Sequence, residues 1–255
     1  MRVFDSITDF MNKRQSLDGP LGFVPTMGAL HDGHESLVKR SLRENKNTVV
    51  SIYVNPTQFD SNEDLEAYPE TLLKDSEKLE FLGVDALLLP KLTQMYPDSF
   101  RYEITEKDFS YEMCGAYRSG HFVGVLTVVM KLLNIVRPNR AYFGEKDYQQ
   151  YSLIKDMVEA FFLDVEIIPC PIVRDPDGLA LSSRNLNLSS CQRIKAPLIY
   201  ELISSKSSDD EVRLKLTKEG FDVEYVQTKF GRRFIAAKIG TDPSIRLIDN
   251  VELMT

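Results

Sequence analysis

Apolar residues fall along this chain in short runs and in helix-spaced stripes, and the two patterns alternate. Leu21-Gly22-Phe23-Val24 is a compact apolar run of the kind a buried strand uses. Positions 37, 38, 41 and 42 share one face of a helix expected over residues 35–42. Residues 48–54 form a β-branched run that Asn55-Pro56 ends. A charged segment over 62–82 carries Leu65, Leu72, Leu79 and Leu82 at helix-like spacing. Residues 84–89 read as the next strand, 121–136 as an apolar helix and 141–143 as a strand. Tyr151, Ile154, Met157, Val158 and Phe161 mark another helix face, followed by a strand over 165–168 that extends toward Val173.

Such alternation of strand and helix predicts a parallel sheet covered by helices. The pattern changes after Val173. Asp175-Pro176-Asp177-Gly178 is a turn, a polar helical segment covers 189–204, and a charged one covers 209–218. Short strand-like pieces at 221–226, 233–238 and 245–248 are separated by Gly231 and by Gly240-Thr241-Asp242-Pro243. The expected architecture is α/β: a Rossmann-like parallel sheet with helices on both faces over residues 1–174, and a smaller α+β domain over 175–255.

Composition narrows the function classes. With 255 residues and 43% hydrophobic content the chain can bury a sizeable core. A net charge of −7 and a pI near 5.2 argue against a broad basic face for nucleic acid. The three cysteines, Cys114, Cys170 and Cys191, are too scattered for a disulfide framework or a Cys-x-x-Cys metal site. The first six residues lack a signal peptide's apolar core, and 122–136 is too short to span a bilayer. A cytoplasmic protein with no membrane partner is expected.

The chemistry concentrates where strands are expected to end. Between the first apolar run and its helix stands Pro25-Thr26-Met27-Gly28-Ala29-Leu30-His31-Asp32-Gly33-His34, a strand-to-helix turn. Gly28 and Gly33 are expected to take positive φ, and the open N–H groups of the helix start to cradle an anion. His31 and His34 add donors at that mouth. Zinc is the rival reading, but His-x-x-His without cysteine or a third histidine nearby is short of ligands.

Phe143-Gly144-Glu145-Lys146-Asp147 follows another strand and offers a lysine to phosphate. Leu181-Ser182-Ser183-Arg184 supplies two hydroxyls and a guanidinium. Asn55 and Gln58, and then Gln149 and Gln150, supply neutral amides suited to a small substrate bearing hydroxyl and carboxyl groups, and Arg118 and His121 add a cationic turn. Each stretch alone is ordinary loop composition. Their coincidence at strand ends points to a phosphate-handling site.

Five motifs then occur in order: Pro-Thr-Met-Gly-Ala-Leu-His-x-Gly-His, Asn-Pro-x-Gln-Phe, Gly-His-Phe-x-Gly-Val, Phe-Gly-Glu-Lys-Asp-x-Gln-Gln and Leu-Ala-x-Ser-Ser-Arg-Asn. In these the chain resembles the pantothenate synthetase (pantoate–β-alanine ligase) family of the His-x-Gly-His nucleotidyltransferases, over residues 1–190 and again at 245–250. The resemblance implies ATP-dependent ligation of pantoate and β-alanine through a pantoyl adenylate, with magnesium on the ATP phosphates and a homodimer. It implies an ATP site made of Met27, Gly28, Ala29, Leu30, His31, Asp32, Gly33, His34, Gly144, Glu145, Lys146, Asp147, Val173, Leu181, Ser182, Ser183 and Arg184. His34 would be the proton donor, with His31, Lys146, Ser182, Ser183 and Arg184 also acting in catalysis. Gln58 and Gln150 would hold pantoate, Gln58 also touching β-alanine, with Asn55, Arg118 and His121 in the same pocket. No metal ligand is assigned. The C-terminal domain would close over ATP as a lid.

The chain departs from the family pattern at Glu70, usually arginine, at Ser119, usually proline, and in a shorter stretch between about residues 200 and 221. Two other readings stay open. A related adenylyltransferase would take a phosphate-bearing acceptor, against which the amides of Gln58 and Gln150 speak. An inactive nucleotide-binding module would not need His34, Lys146 and Arg184.

Overall fold

The structure is a computed structural model that describes residues 1–241 and 243–253, with the Asn62 side chain also left out. The turn expected at 240–243 therefore includes Asp242, which lies outside the described residues. The chain divides into two compact units, Met1–Glu145 with Gln149–Cys170, and Lys146–Tyr148 with Pro171–Thr255.

The first unit opens with β1 (Arg2–Phe4) and α1 (Ile7–Arg14). Neither is expected from the pattern, because three residues show no period and α1 buries only Phe10. β2 (Leu21–Thr26), α2 (Asp32–Glu44) and β3 (Asn47–Ile52) follow. β3 stops two residues short of the expected run, since its partner β2 ends at Thr26 directly opposite Ile52. The segment expected to be helical over 62–82 is two helices, α3 (Asn62–Glu66) and α4 (Leu72–Leu82). Pro69 separates them, as it lacks an N–H and disfavours helix at the residue before it. β4 (Ala86–Leu88) is a trimmed version of the expected strand. Two short helices, α5 (Leu92–Met95) and α6 (Cys114–Tyr117), lead to α7 (His121–Val136). β5 (Arg140–Gly144), α8 (Tyr148–Ala160) and β6 (Glu166–Cys170) complete the series, the first residue of α8 being grouped with the second unit.

The six strands form one sheet in the order β1-β4-β3-β2-β5-β6, every pair parallel. Both faces are covered, which is why the central strands read as continuous apolar runs. Val24 and Val50 pack with Leu37 and Val38 of α2 and Leu79 of α4. Phe23 and Val49, of opposite parity, are equally buried. Full burial of each such side chain stabilises the fold by about 1.5–3 kcal/mol. No helix among the described residues is long and apolar enough to cross a membrane. The most apolar, α7, is buried along most of its length.

In the second unit, α9 (Ser190–Lys195) and α10 (Leu198–Ile203) are split by Pro197, where the pattern predicts one polar helical segment. α11 (Asp209–Lys218) precedes an antiparallel sheet β7-β8-β9 (Phe221–Lys229, Arg232–Ile239, Ile245–Glu252). Ile199, Ile203, Val212 and Leu216 cover Val223, Ile235, Ala237 and Leu247. This is the small α+β arrangement that the strand pieces predict.

Candidate active site

The turn after β2 begins with Thr26, whose hydroxyl donates to the Ser51 carbonyl (2.8 Å) and accepts the Gly28 N–H (3.2 Å). Gly28 has φ +86° and Ala29 φ +50°, so the chain reverses through two left-handed residues. Gly33, expected to share that conformation, is instead helical, inside the first turn of α2. Of the helix-start amides expected to be open, the Gly33 N–H is taken by His31 Nδ1. The N–H groups of Ala29 and Leu30 donate to the two carboxylate oxygens of Asp75, at 2.8 and 2.9 Å. That concavity already holds an anion, supplied by the chain itself.

His31 caps α2, its Nδ1 accepting the Gly33 N–H at 3.1 Å. His34 reaches back with Nδ1 to the His31 N–H at 3.4 Å, and the two rings stand 4.1 Å apart between centroids. An imidazole whose Nδ1 accepts carries its neutral-form proton on Nε2. Both rings are therefore set in one tautomer, as Nε2–H donors. Lys78 of α4 donates to the Leu30 carbonyl (2.9 Å) and pairs with Glu35 (3.2 Å). Hydrogen bonds from Lys39, and secondarily from Lys78, hold the Glu35 carboxyl below its usual range.

The amides expected to meet a hydroxy acid fall into two kinds. Asn55 is buried and fully engaged: Nδ2 donates to Gln58 Oε1 and the Gly124 carbonyl, both at 3.2 Å. Its Oδ1 accepts from Tyr96 OH (2.8 Å) and Thr57 Oγ1 (3.2 Å). Gly124 is required here, since a Cβ on it would lie 2.4 Å from the Thr57 carbonyl oxygen. Gln58 is half-buried, with Nε2 3.1 Å from the sulfur of Met27, which ties it to the histidine turn. His121 Nδ1 donates to the Gln58 carbonyl (2.7 Å), and Arg118 donates to the same oxygen at 3.2 Å. Arg118 also pairs with Asp60 (2.6 Å) and meets His121 Nε2 at 3.1 Å. These two residues hold Gln58. On α8 Gln149 is spent on backbone groups of Phe109, Glu112 and Cys114, whereas half-buried Gln150 makes no hydrogen bond to another described residue.

Burial raises the phenol pKa of Tyr96, which therefore stays a neutral donor to Asn55. Tyr53, which interacts electrostatically with Tyr96, is also pushed up by burial, and no described group hydrogen-bonds its hydroxyl. Gly144 ends β5, and apart from its chain neighbours no described residue comes within 4 Å of a Cβ built there, so the fold leaves room for a side chain at that position.

The remaining candidates, Lys146 and Asp147 with Val173 and 181–184, belong to the second unit. Lys146 and Asp147 occupy a 3-10 turn (Glu145–Asp147), with Nζ 3.7 Å from the Asp147 carboxylate. Asn250 Nδ2 donates to the Lys146 carbonyl at 3.1 Å. Val173 and Leu181 are joined by a backbone hydrogen bond of 3.0 Å across the Arg174–Ala180 bridge. Ser182 then caps a 3-10 turn (Ser183–Asn187), its hydroxyl accepting the Arg184 N–H at 3.3 Å, and Ser183 is buried. Among the described residues no three His, Cys, Asp or Glu side chains group as a metal site.

A family model, Pantoate-beta-alanine ligase, matches residues 2–252. The chain belongs to that family. Pantothenate synthetase from Bdellovibrio bacteriovorus is 50% identical over 252 residues, 99% of each chain. A crystal structure of the pantoate–β-alanine ligase from Francisella tularensis, complexed with β-γ ATP and β-alanine, matches at 45% identity. Its TM-score is 0.94, over 99% of this chain and 97% of that one. Pantothenate synthetase from Thermus thermophilus matches at 38% identity with a TM-score of 0.91, over the full length of both. These pantoate–β-alanine ligases match end to end, so the short C-terminal unit is shared with them. Glu70 and Ser119, the two single-residue departures, are exposed.

Asp75, Thr71 and Lys78 are not singled out by the sequence, and Asn250 enters only as part of the 245–250 resemblance. Asp75 sits in a charged helix where a carboxylate is ordinary by composition, and no spacing ties it to a turn 46 residues away.

Proposed function

We propose that this chain condenses pantoate with β-alanine using ATP, through a pantoyl adenylate, releasing pyrophosphate and then AMP. One observation carries the reading: the chain matches, over 99% of its length and at a TM-score of 0.94, a ligase complexed with β-γ ATP and β-alanine.

In the first step a carboxylate oxygen of pantoate attacks the α-phosphorus, and the bond to the bridging oxygen of pyrophosphate breaks. Charge gathers on phosphoryl oxygens, so what the protein must supply is fixed donors and position. The Nε2–H groups of His31 and His34, the Lys146 ammonium, the Arg184 guanidinium and the Ser182 and Ser183 hydroxyls take that role. His34 acts as proton donor. Met27 to Leu30, Asp32, Gly33, Gly144, Glu145, Asp147, Val173 and Leu181 line the nucleotide. Gln58 and Gln150 hold pantoate, while Asn55, Arg118 and His121 fix Gln58. In the second step the amine of β-alanine, met by Gln58, attacks the acyl carbon. AMP leaves with the C–O electron pair and the nitrogen gives up a proton. Magnesium arrives with ATP as substrate. The proposal includes a homodimer and a cytoplasmic location, which the family resemblance and the use of ATP support.

The test is exchange of labelled pyrophosphate into ATP with magnesium, without β-alanine. Pantoate-dependent exchange is expected. ATP binding without exchange would overturn pantoate activation.

A further inference from the structure

The histidine turn is gripped from one side by α4. Asp75 is 3% exposed, and both its oxygens are committed to residues 29–30 and to Thr71. Oδ2 accepts the Ala29 N–H (2.8 Å) and the Thr71 hydroxyl (2.9 Å), and Oδ1 accepts the Leu30 N–H (2.9 Å). Thr71, at the N-cap of α4, makes no capping bond to its own helix; its hydroxyl also accepts the Ala29 N–H at 3.1 Å. Three residues on from Asp75, Lys78 takes the Leu30 carbonyl. The peptide groups on either side of Leu30 are thus fixed by opposite charges on one helix face, and the next residue is His31.

Successive amides turned to one side by left-handed residues form a nest for anions. Here the nest is filled by a side chain, so it cannot also take a phosphate oxygen. We infer that Asp75 is a positioning residue: by occupying the nest it holds Ala29 left-handed and sets the His31 and His34 rings as Nε2–H donors. It touches no substrate. The consequence is that phosphate recognition here passes from the amides of Ala29 and Leu30 to the two imidazoles. A left-handed alanine is uncommon and persists only where its surroundings hold it, and Asp75 and Thr71 are what hold Ala29. This inference rests on the proposed ligase activity for its kinetic consequence but not for its geometric one.

The experiment uses the full chain with Asp75→Asn, which keeps the shape but turns an amide donor toward one of the two N–H groups. The rate of pantoate-dependent pyrophosphate exchange should fall about 30- to 100-fold, with the pantoate KM within about twofold, because Gln58 is held by Asn55, Arg118 and His121 and Gln150 stands on α8. Long-range nitrogen NMR of the histidine side chains should show the Nε2–H tautomer of His31 and His34 in the parent chain and a mixture in the variant. A folded Asp75→Asn chain with exchange within about twofold and unchanged tautomers would overturn the inference. If Asp75→Asn does not fold, Thr71→Ala carries the test, with an expected loss of exchange of about threefold; unchanged exchange there overturns it equally. Exchange absent from the parent chain would sink the ligase reading alone, since the tautomer comparison would still decide whether Asp75 sets the rings.

Discussion

The histidine turn at 27–34 and the lysine segment at 146–148 each follow a strand of the parallel sheet, β2 and β5, which are hydrogen-bonded neighbours. They are anchored by different chemistry. The turn is held by buried charge, the Asp75 carboxylate on two amides and the Lys78 ammonium on a carbonyl. The lysine segment is held at its backbone by a neutral amide and at Tyr148 by a ring and a guanidinium stacked on it. Asn250 donates to the Lys146 carbonyl, Phe234 lies 5.6 Å from the Tyr148 ring, and the Arg232 guanidinium lies 4.7 Å over that ring. In the turn, side-chain direction and tautomer are fixed. In the segment, the backbone is fixed while the ammonium keeps a flexible four-carbon stem. A directional donor needs the first kind of support, and a point charge is served by the second.

The largest effects test that distinction. His34→Ala and Lys146→Ala should each lower turnover by roughly two to three powers of ten, as loss of a transition-state donor does, with circular dichroism unchanged. The conservative replacements should then part company. Lys146→Arg should recover a good share of the loss, since a charge remains within reach. His34→Gln should recover little, because it loses the ring whose Nδ1 accepts from His31. Equal recovery in steady-state kinetics would break the comparison, and near-normal turnover in both alanine variants would refute the assigned roles.

Asn250→Ala should have an intermediate effect. Asn250 is 1% exposed and also accepts from Arg232 at 2.8 Å, so truncation takes a partner from the Lys146 carbonyl and from a part-buried guanidinium. Leaving such groups unpaired costs about 1–3 kcal/mol, readable in a urea melt. Turnover should fall by only about three- to tenfold, because the ammonium stem can compensate for a loosened backbone. A loss as large as that of Lys146→Ala would mean that the segment's backbone matters as much as its charge.

What can be read from sequence follows the same division. The sheet is legible because its central strands are buried on both faces and so run apolar, and α7 is legible residue for residue from its apolar stripe. His31, His34, Gln58 and Lys146 stand where the pattern places them, in the turns that follow β2, β3 and β5. The supports are not legible. Asp75 and Lys78 lie in a helix crowded with charge, and only the fold shows that these two, among its many acids and bases, turn toward 29–30. The break at Pro69 is written in the chain, yet the leucine spacing on either side of it is consistent with one helix. Gly33 looks like a conformational necessity and is an ordinary helical residue.

The smallest expected effect asks whether the histidine side owes its rigidity to specific bonds or to dense packing at large. Tyr53 stands at the foot of the turn, its N–H donating to the Thr26 carbonyl at 3.0 Å, and its side chain is buried. Its hydroxyl has no hydrogen-bond partner among the described residues, whereas the neighbouring Tyr96 hydroxyl donates to Asn55 at 2.8 Å. The rings are alike and both phenols are raised by burial, so replacing each by phenylalanine changes little except the hydrogen bond. Tyr53→Phe removes an unsatisfied polar atom and should be neutral or stabilising, by up to about 1 kcal/mol. Tyr96→Phe leaves Asn55 short of a donor and should cost about 1–2 kcal/mol, with a rise in the pantoate KM as Gln58 loosens. Urea melts of the two variants decide it. Equal stability would mean that packing, not the Asn55 network, fixes Gln58, and the contrast between charge-held and packing-held loops would then narrow to the Asp75 nest alone.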